Sequence, residues 1–241
     1  MADMEWRRIA GFRVVMSWPQ TGCAPPPSIP VSLRARAAGL AGALLVMVGA
    51  LAIGVAIAAQ VHAPQPPPSA AGATGPGNGH GPSLRRSLPV AVDIPAIGVH
   101  ARLLHLGVNR NGTLQVPSLT TRASEAAWYK YSATPGQIGS SVIEGHVDTI
   151  RGPAVFFRLG ALRPGNRIDV RLADGITAVF RVTGVRRYVK SHFPAKVIYR
   201  TRGFAALHLI TCGGAFNYKT RNYLSSIVVF AALTSSRPAG D

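Results

Sequence analysis

Residues 204–233 read FAALHLITCGGAFNYKTRNYLSSIVVFAAL and contain the pattern that decides the fold. Two runs rich in β-branched and aliphatic residues flank a polar segment that begins with two glycines. Such runs, separated by turn residues, predict two strands of an antiparallel pair. Cys212 lies where the first strand meets the double glycine, which we interpret as the start of a turn. Four roles are open to it: buried filler, half of a disulfide, metal ligand or nucleophile.

The same pattern of short apolar runs separated by turn residues begins at Leu88 and continues through the C-terminal part of the chain. Runs such as VAVDI, RIDVRL and ITAVFRV are separated by Asn-Gly, Pro-Gly and Asp-Gly turn signals. They predict about seven or eight short strands and a mostly antiparallel barrel or sandwich over residues 88–236, followed by a short tail over 237–241. The segment TTRASEAAWYKY is the best candidate for a short helix or helical turn.

A long apolar segment precedes this all-β domain. Residues 37–59 carry no charged or strongly polar side chain, and as a helix they would cover about 34 Å, enough for a hydrocarbon core of about 30 Å. Arginine dominates the charges of residues 1–36, so the positive-inside tendency predicts a cytoplasmic tail, a single-pass anchor in the cell membrane and an extracellular domain. Small residues after the anchor leave cleavage open, although a signal peptide normally has a shorter apolar core. Residues 60–87, rich in Pro and Gly, predict a flexible to semi-extended extracellular linker.

The chain is strongly basic, with a formal net charge of +17 at pH 7. Because the basic residues are spread over strands and loops of an exported domain, we expect anionic wall polymers or acidic lipid as counter-charges, and no nucleic acid. No CxxC, HxxxH or HExxH spacing and no acidic cluster suited to calcium is present. The sequence therefore predicts neither a metal site nor another cofactor.

The predicted topology limits what Cys212 can pair with. Cys23 lies before the anchor and Cys212 after it, so the two cannot form a disulfide within one chain. A reactive thiolate needs a partner that takes its proton or stabilises its charge. His208 is four residues away on the same strand, about 13 Å at strand rise, too far for contact. His146 is better placed, because it follows a strand-like run in SSVIEGHVDT, beside Asp148.

Residues beyond Cys212 complete the predicted site. If residues 204–233 form a hairpin, the start of the second strand returns Arg221 toward the sulfur, where a guanidinium would favour the thiolate and bind an oxyanion. Gly213 and Gly214 would leave backbone N–H groups uncovered and able to help.

Three motifs, IPAIGV, GHVDT and TCGGAF, carry a family resemblance. Their order, His before Cys before a basic residue, is similar to that of the sortases, and within them to the actinobacterial class usually called class F. The resemblance covers roughly residues 88–233. It implies an eight-stranded β-barrel and a cysteine transpeptidase that recognises an LPXTG-like sorting signal on a secreted protein. Such an enzyme cuts after the Thr of the signal and passes the thioacyl group to an amine of the wall precursor.

The resemblance also implies roles for single residues. Cys212 would be the nucleophile, His146 the general acid that protonates the leaving amine, and Thr211 would shape the substrate site together with Gly213 and Asp148. Relatives commonly place an arginine at or just before the start of the last strand, where residues 224–226 are Leu-Ser-Ser. Arg221 is the nearest arginine and the predicted one. Arg200 or Arg202 as substitutes, a hydrolase, and a non-catalytic wall-binding module remain as alternatives.

Overall fold

The structure is a computed structural model that describes residues 62–75, 82–200 and 203–239. The predicted cytoplasmic tail (1–36) and membrane anchor (37–59) lie outside these residues, so both stay predictions. Across the described ranges, the helices are all too short or too polar to cross a bilayer.

Eight of the described strands close into a barrel, which confirms the predicted all-β barrel. Around the barrel the order is β1-β2-β3-β4-β9-β10-β8-β7, while β5 and β6 form a separate two-stranded sheet. Most neighbours are antiparallel, but β2–β3 and β4–β9 are parallel. The strands are β1 Pro89–Ile94, β2 Val99–Leu106, β3 Ala126–Tyr129, β4 Gly139–Glu144, β5 Asp148–Thr149, β6 Gly152–Pro153, β7 Arg167–Leu172, β8 Ile176–Val189, β9 Ala205–Asn217 and β10 Asn222–Pro238.

Helices are short in the described part of the chain. The α-helix α1 covers Ala195–Tyr199, and 3₁₀ helices cover Pro68–Ala71, Pro95–Ile97, Leu159–Ala161 and Lys190–His192. The helix predicted within TTRASEAAWYKY is wrong for its second half, where Ala126–Tyr129 form β3. These residues pair with β2 on one side and β4 on the other, and burial in the barrel wall overrides their helical propensity.

Side chains alternate between two apolar clusters along each central strand. On β9, Leu207 and Leu209 belong to the large interior cluster, to which all eight barrel strands contribute. Ile210 and Cys212 belong to a smaller cluster on the outer face of β4, β9 and β10, which α1 covers through Ile198. Since neighbouring residues of a strand point to opposite faces, the cysteine lies outside the barrel wall.

The double glycine is a bulge within β9 and not the turn that we expected. Phe216 pairs with Tyr223 and Gly213 with Ser225, so β9 uses one more residue than β10 over this interval. Gly214 has φ +75°, and a Cβ on it would lie 2.8 Å from the Ser225 hydroxyl oxygen. Glycine therefore satisfies both the left-handed backbone and the close approach that the bulge needs. The strand continues past it to Asn217.

The expected linker is not a free spacer over residues 62–75. The Ala73 N–H donates to the Thr183 carbonyl at 2.9 Å. From β8, the Arg186 guanidinium donates to the carbonyls of Ala71 and Gly72 at 2.9 and 2.7 Å. These bonds satisfy backbone groups of a segment that has no strand or long helix of its own, and they hold it on the barrel.

We expect Gly214→Ala to lower the free energy of unfolding by about 1–3 kcal/mol, because alanine is strained at this φ and its methyl group would collide with Ser225. Gly203→Ala is the matched control, since nothing lies within 4 Å of its Cβ position. Urea unfolding of both variants measures the difference. Equal stabilities would show that the bulge does not require glycine.

Candidate active site

The parallel pair of β4 and β9 brings the predicted histidine and cysteine to one edge of the sheet. Glu144 lies opposite Ile210, and the Gly145 N–H donates to the Ile210 carbonyl at 3.1 Å. His146 and Cys212 each follow this last pair by two residues, His146 in the loop after β4 and Cys212 within β9. The two predicted reactive residues therefore lie just beyond the same end of the parallel pair.

Cys212 is almost enclosed, with 2% of its surface exposed. It belongs to the outer cluster with Ile198, Ile210 and Val228. Ala63, in the segment of residues 62–75 that precedes the barrel, packs against that cluster. A thioester formed here would be shielded from bulk water.

His146 is 4% exposed and held in one tautomer. Its Nε2 lies 2.7 Å from the Pro117 carbonyl oxygen, which can only accept, so Nε2 carries the proton. Nδ1 is then the ring atom that gains and loses a proton during acid–base work. Burial lowers the pKa of His146, and the bond to Pro117 opposes this only in part. At neutral pH the imidazole is mostly neutral.

Asp148 ties the loop after His146 to the last strand. The Tyr223 hydroxyl, near the start of β10, donates to Asp148 Oδ2. We predicted Asp148 as a substrate-side residue, and in this structure its carboxylate positions the loop that carries His146.

The other two predicted substrate-side residues point away from the sulfur. Thr211 is fully buried and opposite Ile227, on the interior side of β9. Any effect of Thr211 on a peptide at Cys212 is therefore indirect. Gly213 is also buried, and a Cβ there would lie 2.8 Å from the Ile227 side chain. The Gly214 N–H, which we expected to be uncovered, donates to Gln65 Oε1 at 3.0 Å.

The hairpin does not return Arg221 to the sulfur. Cys212 is opposite Ser226, while Asn222 is opposite Asn217 at the far end of the ladder. Arg221 is exposed in the turn beyond, with φ 50°. Arg221 is therefore five residues before Ser226, the partner of Cys212, with the irregularity of the ladder between them. Of the two substitutes, Arg200 is exposed after α1, and Arg202 lies outside the described residues.

A lysine that we did not single out contacts the sulfur instead. Lys190 Nζ lies 3.5 Å from Cys212 Sγ and donates to Asn222 Oδ1 at 2.7 Å. Lys190 begins a 3₁₀ helix directly after β8. We did not consider Lys190 as a site residue, because the local sequence of this basic stretch resembles any exposed loop. The only signal was its place one residue beyond a long strand.

Glu144 is the second neighbour that sequence reasoning missed. It is buried, accepts a bond from the Tyr199 hydroxyl at 3.4 Å, and its Oε2 has no hydrogen-bond partner among the described residues. Burial raises the pKa of Glu144 to about 8; the bond from Tyr199 lowers it, and negative charge on Cys212 raises it further. The carboxyl group is therefore protonated at neutral pH. Its position at the end of β4, two residues before His146, was the available signal.

A separate cavity of about 740 Å³ lies beyond the loop that follows His146. Hydroxyl groups and two arginines line it, including Thr149, Thr120, Arg151 and Arg158. Neither Cys212 nor His146 reaches it. In the ranges that the structure describes, no three His, Cys, Asp or Glu side chains are grouped as metal ligands would be.

The model of one protein family matches the part of the sequence that forms the barrel. The sequence matches the model of the sortase domain over residues 92–234, more than half of the chain. This chain belongs to the sortase family. The sortase barrel is similar in structure to sortase A of Listeria monocytogenes, at 14% identity and TM-score 0.48, covering 65% of this chain and 93% of that one. It is also similar to sortase A of Corynebacterium diphtheriae, at 19% identity and TM-score 0.47, covering 65% of each chain. No curated protein matches the sequence.

We expect Glu144 to make this sortase less stable as the pH rises from about 5 to 8, while the lowered pKa of His146 acts in the opposite direction in the lower part of this window. Glu144 has a folded-state pKa of about 8 against an ordinary value near 4.5, so in this window the folded state holds a proton that the unfolded state has released. Raising the pH therefore favours unfolding, by up to about 1.4 kcal/mol per pH unit. Glu144→Gln should remove this slope.

Urea unfolding at several pH values measures it. Glu125→Gln is the control, because Glu125 pairs with Arg122 near the surface. The same slope in Glu144→Gln as in the unmodified protein would contradict the assignment.

Proposed function

We propose that this sortase is a membrane-anchored cysteine transpeptidase, similar to class F, that cleaves an LPXTG-like sorting signal and transfers the protein to a cell-wall amine. The observation that supports the proposal is the register of β4 and β9, whose last pair, Glu144 with Ile210, precedes both His146 and Cys212 by two residues. The class F assignment rests on the motifs IPAIGV, GHVDT and TCGGAF.

Acylation uses Cys212 and His146 in turn. The thiolate attacks the carbonyl carbon of the peptide bond after the Thr, so that a C–S bond forms and the C–N bond breaks. The Cys212 thiol first gives its proton to Nδ1 of His146, and the leaving amine then takes this proton from Nδ1. The Pro117 carbonyl keeps Nε2 protonated throughout and holds the ring in place.

Transfer reverses these proton movements. An amine of the wall precursor attacks the thioester and gives a proton to His146, the new C–N bond forms, and the C–S bond breaks to regenerate the thiolate. Water in place of the amine would make the protein a hydrolase. The enclosure of Cys212 favours transfer, because it limits the access of water to the thioester.

The proposed location follows from the sequence. An anchor over residues 37–59 would hold the enzyme at the extracellular face of the cell membrane, where exported proteins emerge. The net charge of +17 complements anionic wall polymers there.

One observation favours a second candidate, a non-catalytic wall-binding module. The expected arginine is missing from residues 224–226, and Arg221 lies in an exposed turn away from the sulfur. Such a module would keep the barrel and have an unreactive cysteine.

We expect the full chain in detergent to form a thioacyl adduct with LPXTG-type peptides, seen by intact mass and mapped to Cys212. The adduct should disappear in Cys212→Ala. In His146→Asn its rate of formation should fall by about 10²–10⁴-fold, because the leaving amine loses its acid.

His192→Asn is the matched control, since His192 is exposed and bonded only to its neighbour Ser191 among the contacts that the structure gives. Absence of an adduct across a panel of sorting signals would favour the non-catalytic module. An adduct that forms but is released only to water would favour the hydrolase.

A further inference from the structure

We propose that Lys190 is the catalytic cation of this site, in the role that the sequence predicts for Arg221. The inference rests on the proposed function in one respect, that Cys212 is the nucleophile. The observation is the contact of Lys190 Nζ with Sγ at 3.5 Å.

The barrel topology explains how a residue 22 positions away from the cysteine in sequence reaches it. β10 lies between β8 and β9 and pairs with both. At one end of this three-stranded part, Val189 of β8 is opposite Ser225, and Cys212 of β9 is opposite Ser226. Lys190 follows Val189 directly, so a lysine side chain has to cross only one strand to contact the sulfur.

A second contact holds the ammonium group in place. Lys190 Nζ donates to Asn222 Oδ1 at 2.7 Å, at the start of β10. Lysine is a flexible point charge, and a fixed acceptor beside the sulfur reduces the number of positions that it samples. Asn222 therefore acts as a positioning residue for Lys190.

The ammonium group of Lys190 has a large effect on Cys212 because the titratable side chains nearest to the sulfur are mostly uncharged. Glu144 from β4 and His146 from the loop after it are both mostly uncharged at neutral pH because they are buried. Other titratable or charged groups also pack around the site. Tyr199 of α1 is bonded to Glu144, Asp148 of β5 and Tyr223 of β10 are bonded to each other, and Arg187 of β8 has its Cδ 3.7 Å from the Cβ position of Gly214. Tyr129 and Tyr188 pack against the outer cluster, and His208 contacts its members Ile198 and Phe230. Lys190 thus brings positive charge directly to Sγ, where it favours the thiolate over the thiol.

The same position serves the later step of the reaction. When the substrate carbonyl carbon is bonded to Sγ, its oxygen is two bonds from the sulfur. An ammonium group that contacts Sγ is then within reach of the oxyanion as its charge develops. One cation can in this way stabilise both the attacking thiolate and the tetrahedral intermediate.

The test is a thiolate titration of the full chain in detergent, followed by ultraviolet absorbance near 240 nm. A Cys212→Ala partner for each variant serves as its blank, so that Cys23 and the tyrosines cancel. For Lys190→Met we expect the titration midpoint to rise by about one pH unit, with about tenfold less thiolate well below the midpoint. Lys190→Arg keeps the charge and should stay close to the unmodified protein.

Two controls and a second variant complete the design. Lys196→Met removes an exposed lysine of α1, and Arg221→Ala removes the predicted arginine. Neither variant should move the midpoint of the thiolate titration. Asn222→Ala releases the ammonium group from its acceptor and should raise the midpoint by less than Lys190→Met does. The proposal is overturned if Lys190→Met titrates like Lys196→Met, or if Arg221→Ala gives the rise instead.

The titration needs no substrate, so it separates this inference from the proposed function. An adduct with sorting-signal peptides together with an unmoved midpoint in Lys190→Met overturns only the role of Lys190. A raised midpoint in Lys190→Met, with no adduct from any peptide, supports the contact and counts against the transpeptidase alone.

Discussion

The parallel pairing of β4 with β9 is the constraint on which the site depends. It joins segments far apart in the chain, from Gly139 opposite Ala205 to Glu144 opposite Ile210. A parallel pair cannot be closed by a tight turn, so the chain must make a long excursion between the two strands. That excursion forms β5 to β8, and its last part delivers Lys190 to the sulfur. One pairing therefore brings His146 and Cys212 just beyond the same end of the two strands and requires the connection that contains Lys190.

Because side chains alternate along the strands, the residues that fill the barrel interior and the residues around Cys212 lie on opposite faces of the same strands. The interior of the barrel is filled by aliphatic and aromatic side chains from all eight of its strands, and a close-packed interior resists displacement. Cys212, Glu144 and the groups around them lie on the opposite face of the same strands. The interior fixes their backbones, while the outer face carries the ionisable side chains of Glu144 and Cys212.

The parts of this arrangement that are local in sequence could be predicted, and the rest could not. Apolar β-branched runs and turn residues predict the barrel, and the motifs GHVDT and TCGGAF predict His146 and Cys212 as site residues. Lys190 could not be found in the same way, because its role depends on β10 lying between β8 and β9, which no local pattern encodes. The bulge at Gly214 was interpreted as a turn, since glycine suits both and only the register distinguishes them. Arg221 was chosen by its distance in sequence, and the extension of β9 through the bulge carries it away from the site.

Because residues 62–75 are bonded to the barrel, the folded unit begins before residue 88. The backbone of this segment is bonded to Thr183 and Arg186, and Gln65 accepts the Gly214 N–H two residues from the cysteine. A truncated protein that starts at residue 88, where strand texture begins, would keep every barrel strand but would remove the acceptor from this N–H group. It would also uncover the side of β8 against which residues 71–73 pack. Reactivity measured on such a fragment would describe a cysteine whose surroundings are less covered than they are in the intact chain.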